Sequence, residues 1–154
     1  MTRPTTLAYS KFVLRISDGA SPEVFAAPCG LTSRGWQEAT TFQESAIPDC
    51  ADEDAPAAIE RDADTWSGSF SGSGWVAKEN LGMYREWSRG GASKKCRIYY
   101  FDGEAGDELA ESAIGYDEGM MVLSSLNVSG ERGQKTRIEI ELQTDGAVTW
   151  TDAA

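Results

Sequence analysis

GMMVLSSLNVSGERGQKTRIEIELQTDGAVTWT, Gly119 to Thr151, reads as strand, polar turn, strand, tight turn, strand. Thr136–Gln143 carries the clearest signal: Ile138, Ile140 and Leu142 alternate with Arg137, Glu139, Glu141 and Gln143, the period-two pattern of a strand with one dry and one wet face. Before it, Met121, Leu123 and Leu126 are apolar, but Ser124 and Ser125 shift the phase between them, as a β-bulge does. Asp145-Gly146 is the residue pair that suits a two-residue primed turn, so Ala147–Thr151 is expected to fold back as a last hairpin strand. The rest of the chain is what this meander, 119–151, packs against.

Upstream, Lys11–Ser17 is the first expected strand, with Phe12, Leu14 and Ile16 on one face. Val24–Ala27 is a short one, and Gly35–Phe42 places Trp36, Glu38, Thr40 and Phe42 together. Thr65–Gly74 alternates serine with Trp66, Phe70 and glycine; so thin a strand implies close approach of another backbone, or a sharp bend. At 77–89 the period becomes helical through Ala77, Leu81 and Tyr84, widened by Met83 and Trp87 and stopped by Gly90-Gly91. Lys94–Phe101 returns to strand. About eight strands with one inserted helix describe a mainly β fold, a sandwich or barrel with open strand edges, and 154 residues suit a single domain, 1–154.

Two stretches break the pattern. Gln43–Asp64 holds eight acidic residues against Arg61 alone, with Pro48 and Pro56, and shows no strand or helix period. It is expected to be a long acidic loop, either simply solvated or an arm that orders on a partner by burying Ile47, Ala57, Ala58 and Ile59. The run from Asp102 to Glu118 is again acidic and lacks any basic residue, whereas Arg85, Arg89, Lys94, Lys95 and Arg97 lie close together. If the patches lie at opposite ends, copies can stack head to tail.

Composition excludes much. A formal charge of −11 argues against a nucleic-acid-binding surface, since phosphate contact requires cations. The absence of histidine removes the usual general base and most zinc sites. Cys29, Cys50 and Cys96 are odd in number and without a C-x-x-C, so buried free thiols are expected. Neither Asp49, Asp52, Asp54 nor Asp102, Glu104, Asp107 has calcium-loop spacing. No metal or cofactor is expected. No apolar run has signal-peptide or membrane-spanning character, so synthesis in a cytoplasm, with no membrane partner, is the expectation.

The G-led strand running into L-S-S-L-N-V-S-G and the I-E-I-E-L-Q-T-D-G-A-V-T pair, together with A-A-P-C-G-L-T-S at 26–33 and I-P-D-C-A-D-E-D-A-P at 47–56, resemble the tail tube proteins of long-tailed bacteriophages and gene transfer agents. The resemblance spans almost the whole chain, and its specificity lies in the order of the motifs. It implies a virion protein, made in the host bacterial cytoplasm, that forms hexameric rings stacked into a hollow tail. It implies partners in the tape measure, the tail terminator and the distal tail or baseplate proteins, and DNA passing through the lumen without specific binding. By the same resemblance, 1–9 and the loop 43–64, with Ile47, Asp49, Asp52, Glu53, Asp54 and Ile59, reach the adjacent ring. Glu139, Glu141 and Glu38 are candidates for lining the bore. Two other classes stay open: a monomeric carbohydrate-binding sandwich using Trp36, Trp66 or Trp75 as platforms, and a hydrolase using paired carboxylates. A tail-tip or secretion-tube ring component would share the fold.

Overall fold

The computed structural model describes residues 12–19, 24–101 and 113–152. The N-terminal arm 1–9 and most of the acidic run after Asp102 lie outside them. Seven strands, β1 (Phe12–Ser17), β2 (Phe25–Ala26), β3 (Leu31–Ile47), β4 (Ala58–Trp75), β5 (Lys94–Phe101), β6 (Ala113–Ser129) and β7 (Arg137–Asp152), are joined by one helix, α1 (Lys78–Gly90), inserted between β4 and β5. All pair antiparallel in a single sheet of order β2-β1-β5-β6-β7-β4-β3. The mainly β fold with an inserted helix is as expected, with seven strands among the described residues.

The sheet is rolled. Three strands separate β1 from β4 in the hydrogen-bonding order, yet the rings of Phe12 and Phe70 pack edge to face at 6.2 Å. Arg34 on β3 donates from Nη1 to the Phe12 carbonyl at 2.6 Å. Only a sheet folded over on itself brings these together.

The fold happens inside β6 and β7. Their lower halves pair Met121–Ser129 with Arg137–Thr144, and their upper halves pair Gly115–Gly119 with Val148–Asp152. The lower half of β7 continues to β4 and β3, while the upper half of β6 continues to β5 and β1. Both strands therefore pass from one layer to the other, and the register slips between Gly119 and Met121, as strands that turn a sheet corner require. Asp145-Gly146 lies at this corner. The expected hairpin there is corrected: β7 runs through to Asp152 without reversing. A primed turn needs positive φ at both central positions; Gly146 has it, at +103°, and Asp145 does not. The other expected bulge, at Ser124-Ser125, is present as a register shift between Leu123 and Ser125.

Between the layers lies the core of Leu14, Ile16, Phe70, Ile98, Met121, Ile138, Ile140 and Leu142, closed by Tyr84 and Trp87 of the helix. The helix ends where Gly91 takes the left-handed conformation, φ +65°, and donates to the Trp87 carbonyl. Trp87 also anchors the following loop, donating its indole N–H to Ala92 at 2.7 Å. The glycines of β4 face this core because larger residues would not fit. A Cβ at Gly68 would overlap the Trp36 indole, and one at Gly74 would overlap the Gly30 carbonyl and approach Thr32 N to 2.7 Å. Close backbone approach is thus the reason for the serine–glycine pattern. The expected buried free thiols need one correction: all three cysteines are free, but only Cys96 is buried, its pKa pushed up to about 12 chiefly by that burial, whereas Cys29 and Cys50 sit in exposed turns.

Candidate functional site

Four long strands, lower β6, lower β7, β4 and β3, form one layer whose inner face is the core. Its outer face follows from register. Glu139 is level with Ser73 and Asn127, and Glu141 with Ser71 and Ser125; Ser73 and Ser71 are in turn level with Ser33 and Gly35. The result is a shallow groove lined by Ser33, Ser71, Ser73, Asn127, Glu139 and Glu141. The face is hydroxyl, amide and carboxylate, with an aromatic ring, Trp75, at its lower margin under the Arg137 guanidinium, 5.3 Å from it. Glu38 does not join Glu139 and Glu141. It shares the opposite face of β3 with Trp36, because residues two apart on a strand point the same way.

Glu38 instead faces Asp117, which projects from upper β6 beside Tyr100. Burial, and then the Glu38 charge, raise the Asp117 pKa above the ordinary carboxylate value, and burial with both carboxylates raises Tyr100. The folded state then holds the Asp117 proton more firmly than the unfolded chain, so stability rises as pH falls through the raised folded value, and the advantage is complete below the ordinary one. Asp117→Asn should raise Tm at pH 7, with the gain shrinking as pH approaches 4. A gain equal at both pH values, or none, would contradict the assignment.

This layer has two open edges. One is the whole outer side of β3, residues 31–47, for which β4 is the only partner among the described residues. The other is β6 beyond Met121, because pairing with β5 stops at Met121. Such long edges carrying no proline are templates for pairing with another chain.

Above Ser69, β4 leaves β7 and pairs with β3 alone, so residues 37–47 and 58–68 form a two-stranded arm. The expected unstructured loop 43–64 is corrected: most of it is this hairpin, and the connecting turn is 48–57. No apolar alternation marks it because both faces are wet within the subunit. Arg61 pairs with Glu44 across the arm at 3.0 Å, and Thr41 bonds Thr65 side chain to side chain. A register shift after Thr41 keeps Phe42 opposite Ala63 and Ala46 opposite Ile59, continuing the line of Trp36 and Phe70 into solvent. Phe42 is 53% exposed and Ile59 55%. Ile47 ends β3 at the start of the turn, which holds Asp49, Asp52, Glu53 and Asp54; Asp49 accepts from Ala51 N and Asp52 from Asp54 N.

The five expected patch cations are divided. Arg85 and Arg89 are exposed on α1, and Lys94 lies over the Trp87 ring. Lys95 and Arg97 point to the outer face of β5, where Glu118 pairs with both, at 3.8 and 2.6 Å. Arg97 is further held against Phe25 and Tyr116. Sequence reading missed Glu118 because the β5–β6 pairing, not sequence proximity, brings it there. The three tryptophans form no common platform: Trp36 packs on the core, Trp75 is on the outer face, and Trp66 is on the arm.

The layer thus presents a polar, aromatic-poor face flanked by two strand edges open to pairing. A family model described as phage tail tube protein matches residues 6–150, and the chain belongs to that family, whose members are structural components of the virion tail. No curated protein sequence matches it. Among solved structures, it is similar to the tail subunit of an empty gene transfer agent particle refined with C6 symmetry, with a TM-score of 0.73 at 14% identity, covering 95% of this chain and 99% of that one. It is similar to the SPP1 tail tube (TM-score 0.63, 12% identity, 96% and 80% covered). It also resembles a chain of the PVC contractile injection system sheath–tube complex (TM-score 0.63, 13% identity, 96% and 92% covered). Among the described residues no helix is long and apolar enough to cross a membrane.

Proposed function

We propose that this protein forms closed rings, stacked into a tube, by joining the two open edges of its four-stranded layer, and that the Ser–Glu face lines the bore. The observation that carries this reading is strand direction. From β3 through β4 and β7 to β6 every step is antiparallel, so β6 of one copy lies antiparallel to β3 of the next when copies are related by rotation. That contact is heterologous, and it closes into a ring. Six copies per ring accord with the C6 symmetry of the gene transfer agent tail. With the core behind one face, the other face is left to form the wall of the channel. Its carboxylates repel DNA phosphates, and its hydroxyls offer bases no stacking surface, so DNA passes without being held. The arm, with its exposed Phe42 and Ile59, spans to the adjacent ring. The tape measure occupies the bore during assembly, while terminator and distal tail proteins close the ends, roles in keeping with the similarity to a tube-terminating cap and a baseplate. The subunit is made in the host cytoplasm.

Proline substitution at Asn127 and at Val128 tests edge closure. Successive residues on a strand direct their N–H groups to opposite sides, so one of the two prolines removes a bond to β7 and the other only an outward N–H. The outward one should leave the circular dichroism spectrum and Tm nearly unchanged while abolishing rings and tubes in electron micrographs. Normal rings from both variants would refute closure through β6.

A further inference from the structure

The same layer ends in opposite charges. At the top, the 48–57 turn carries Asp49, Asp52, Glu53 and Asp54 with no basic residue. At the bottom, level with the pairs Ser129–Arg137 and Trp75–Arg137, the turn between β6 and β7 carries Arg132 and Lys135, followed by Arg137, against Glu131 alone. Arg132 and Lys135 are exposed and make no ion pair among the described residues. In a chain of net charge −11 this is a local reversal of sign, and Gly133, at φ +85°, shapes the turn that presents it. Resting on the stacking proposed above, we infer that the β6–β7 turn, through Arg132, Lys135 and Arg137, receives the acidic hairpin tip of a second copy in the next ring.

Polarity and reach both favour this pairing. The two turns lie at opposite ends of strands that run the length of one layer, so translation along those strands carries the tip of one copy towards the basic turn of another. Residues 58–68 of β4 extend beyond the last pair with β7, an overhang of roughly 35 Å at about 3.3 Å per residue. Residues 37–47 and 58–67 are all exposed, so the arm stands clear of the rest of its own subunit. The tip carboxylates are prearranged: Asp49 and Asp52 are fixed by hydrogen bonds to the backbone of their own turn, leaving Glu53 and Asp54 exposed. On the outer sheet, Lys95 and Arg97 share Glu118, and their charge is partly satisfied without a neighbour. Arg85 and Arg89 on α1 are the competing acceptor.

A charge swap decides between them. Arg132→Glu with Lys135→Glu should leave folding and single rings intact while raising the subunit concentration needed for tube elongation on the order of tenfold, more at low salt. Glu53→Lys with Asp54→Lys should do the same. All four changes in one chain restore opposite signs between positions 53 and 54 of the tip and positions 132 and 135 of the turn, and should recover tube length in micrographs and sedimentation. Unaltered elongation by the Arg132/Lys135 variant, failure of the combined variant to recover, or equal sensitivity to Arg85→Glu with Arg89→Glu overturns the inference while rings persist. A wild-type chain that forms no rings at all overturns the underlying function instead.

Discussion

Tubes assembled from Glu139→Lys/Glu141→Lys subunits should capture DNA that wild-type tubes leave in solution. Both side chains point away from the core on a strand whose alternate residues, Ile138, Ile140 and Leu142, are buried, so the substitutions should leave the fold and Tm essentially unchanged. Each replaces a negative charge by a positive one, a change of about four charges per chain that recurs around every ring and turns a repelling wall into a phosphate-binding one. Binding to a cationic wall releases counterions, so retention should fall on the order of a thousandfold between about 50 and 200 mM salt. The control is Glu79→Lys/Glu86→Lys on the exposed face of α1, which alters net charge equally at a site outside the channel. DNA held by the bore variant should resist nuclease; DNA held by the helix variant should not. If the Glu139/Glu141 tubes leave DNA unprotected, the Ser–Glu face does not line the channel.

The largest effect on stability should come from one methyl group. Gly74→Ala places a Cβ against the Gly30 carbonyl, 2.7 Å from Thr32 N and 2.8 Å from Leu31 Cα. These are backbone atoms that no rotamer change can move aside, and Trp75 N–H bonds the same Gly30 carbonyl at 2.9 Å. The start of β3 must shift away from β4, opening the register that both the core and the Ser–Glu face depend on. A cost of about 3 kcal/mol is expected, lowering Tm by roughly 6–12 °C for a chain of this size. The helix supplies the contrast: Gly82 has nothing within 4 Å of its missing Cβ, and Gly82→Ala should stabilise by about 0.5–1 kcal/mol through backbone entropy. Thermal melts of the two variants that moved in the same direction would contradict the packing described.

What the sequence disclosed depended on whether each segment had one dry face. Arg137–Gln143 and Lys94–Phe101 each bury alternate residues, and their strands were readable from period two. Ser124-Ser125 marked a bulge because it broke an otherwise regular phase, and Gly90-Gly91 marked where the helix stops. The arm gave no such signal: its core-facing residues Phe42, Ala46, Ile59 and Ala63 have nothing over them inside the subunit, so charges and alanines took positions that burial would have kept apolar. Asp145-Gly146 misled for a different reason. A positive φ at one glycine serves a sheet corner as well as a hairpin, and only the continuing pairing of Val148–Asp152 with upper β6 distinguishes them. Long-range pairing also decided the fate of the cations. Glu118 neutralises Lys95 and Arg97 from the neighbouring strand, 21 residues along the chain from Arg97, and the basic turn at 132–137 passed unnoticed because the two charges in its turn are spaced as ordinary loop residues.

The corner shared by β6 and β7 also fixes how such a wall would bear force. Two covalent strands run unbroken from one layer to the other, so in the proposed tube no hinge of loop residues would separate the wall of the channel from the outside. Tension along these strands loads their hydrogen bonds together, side by side, and not one after another as peeling would. In such a tube a bend imposed on the outside would be passed directly to the inside, and the two layers would stiffen together.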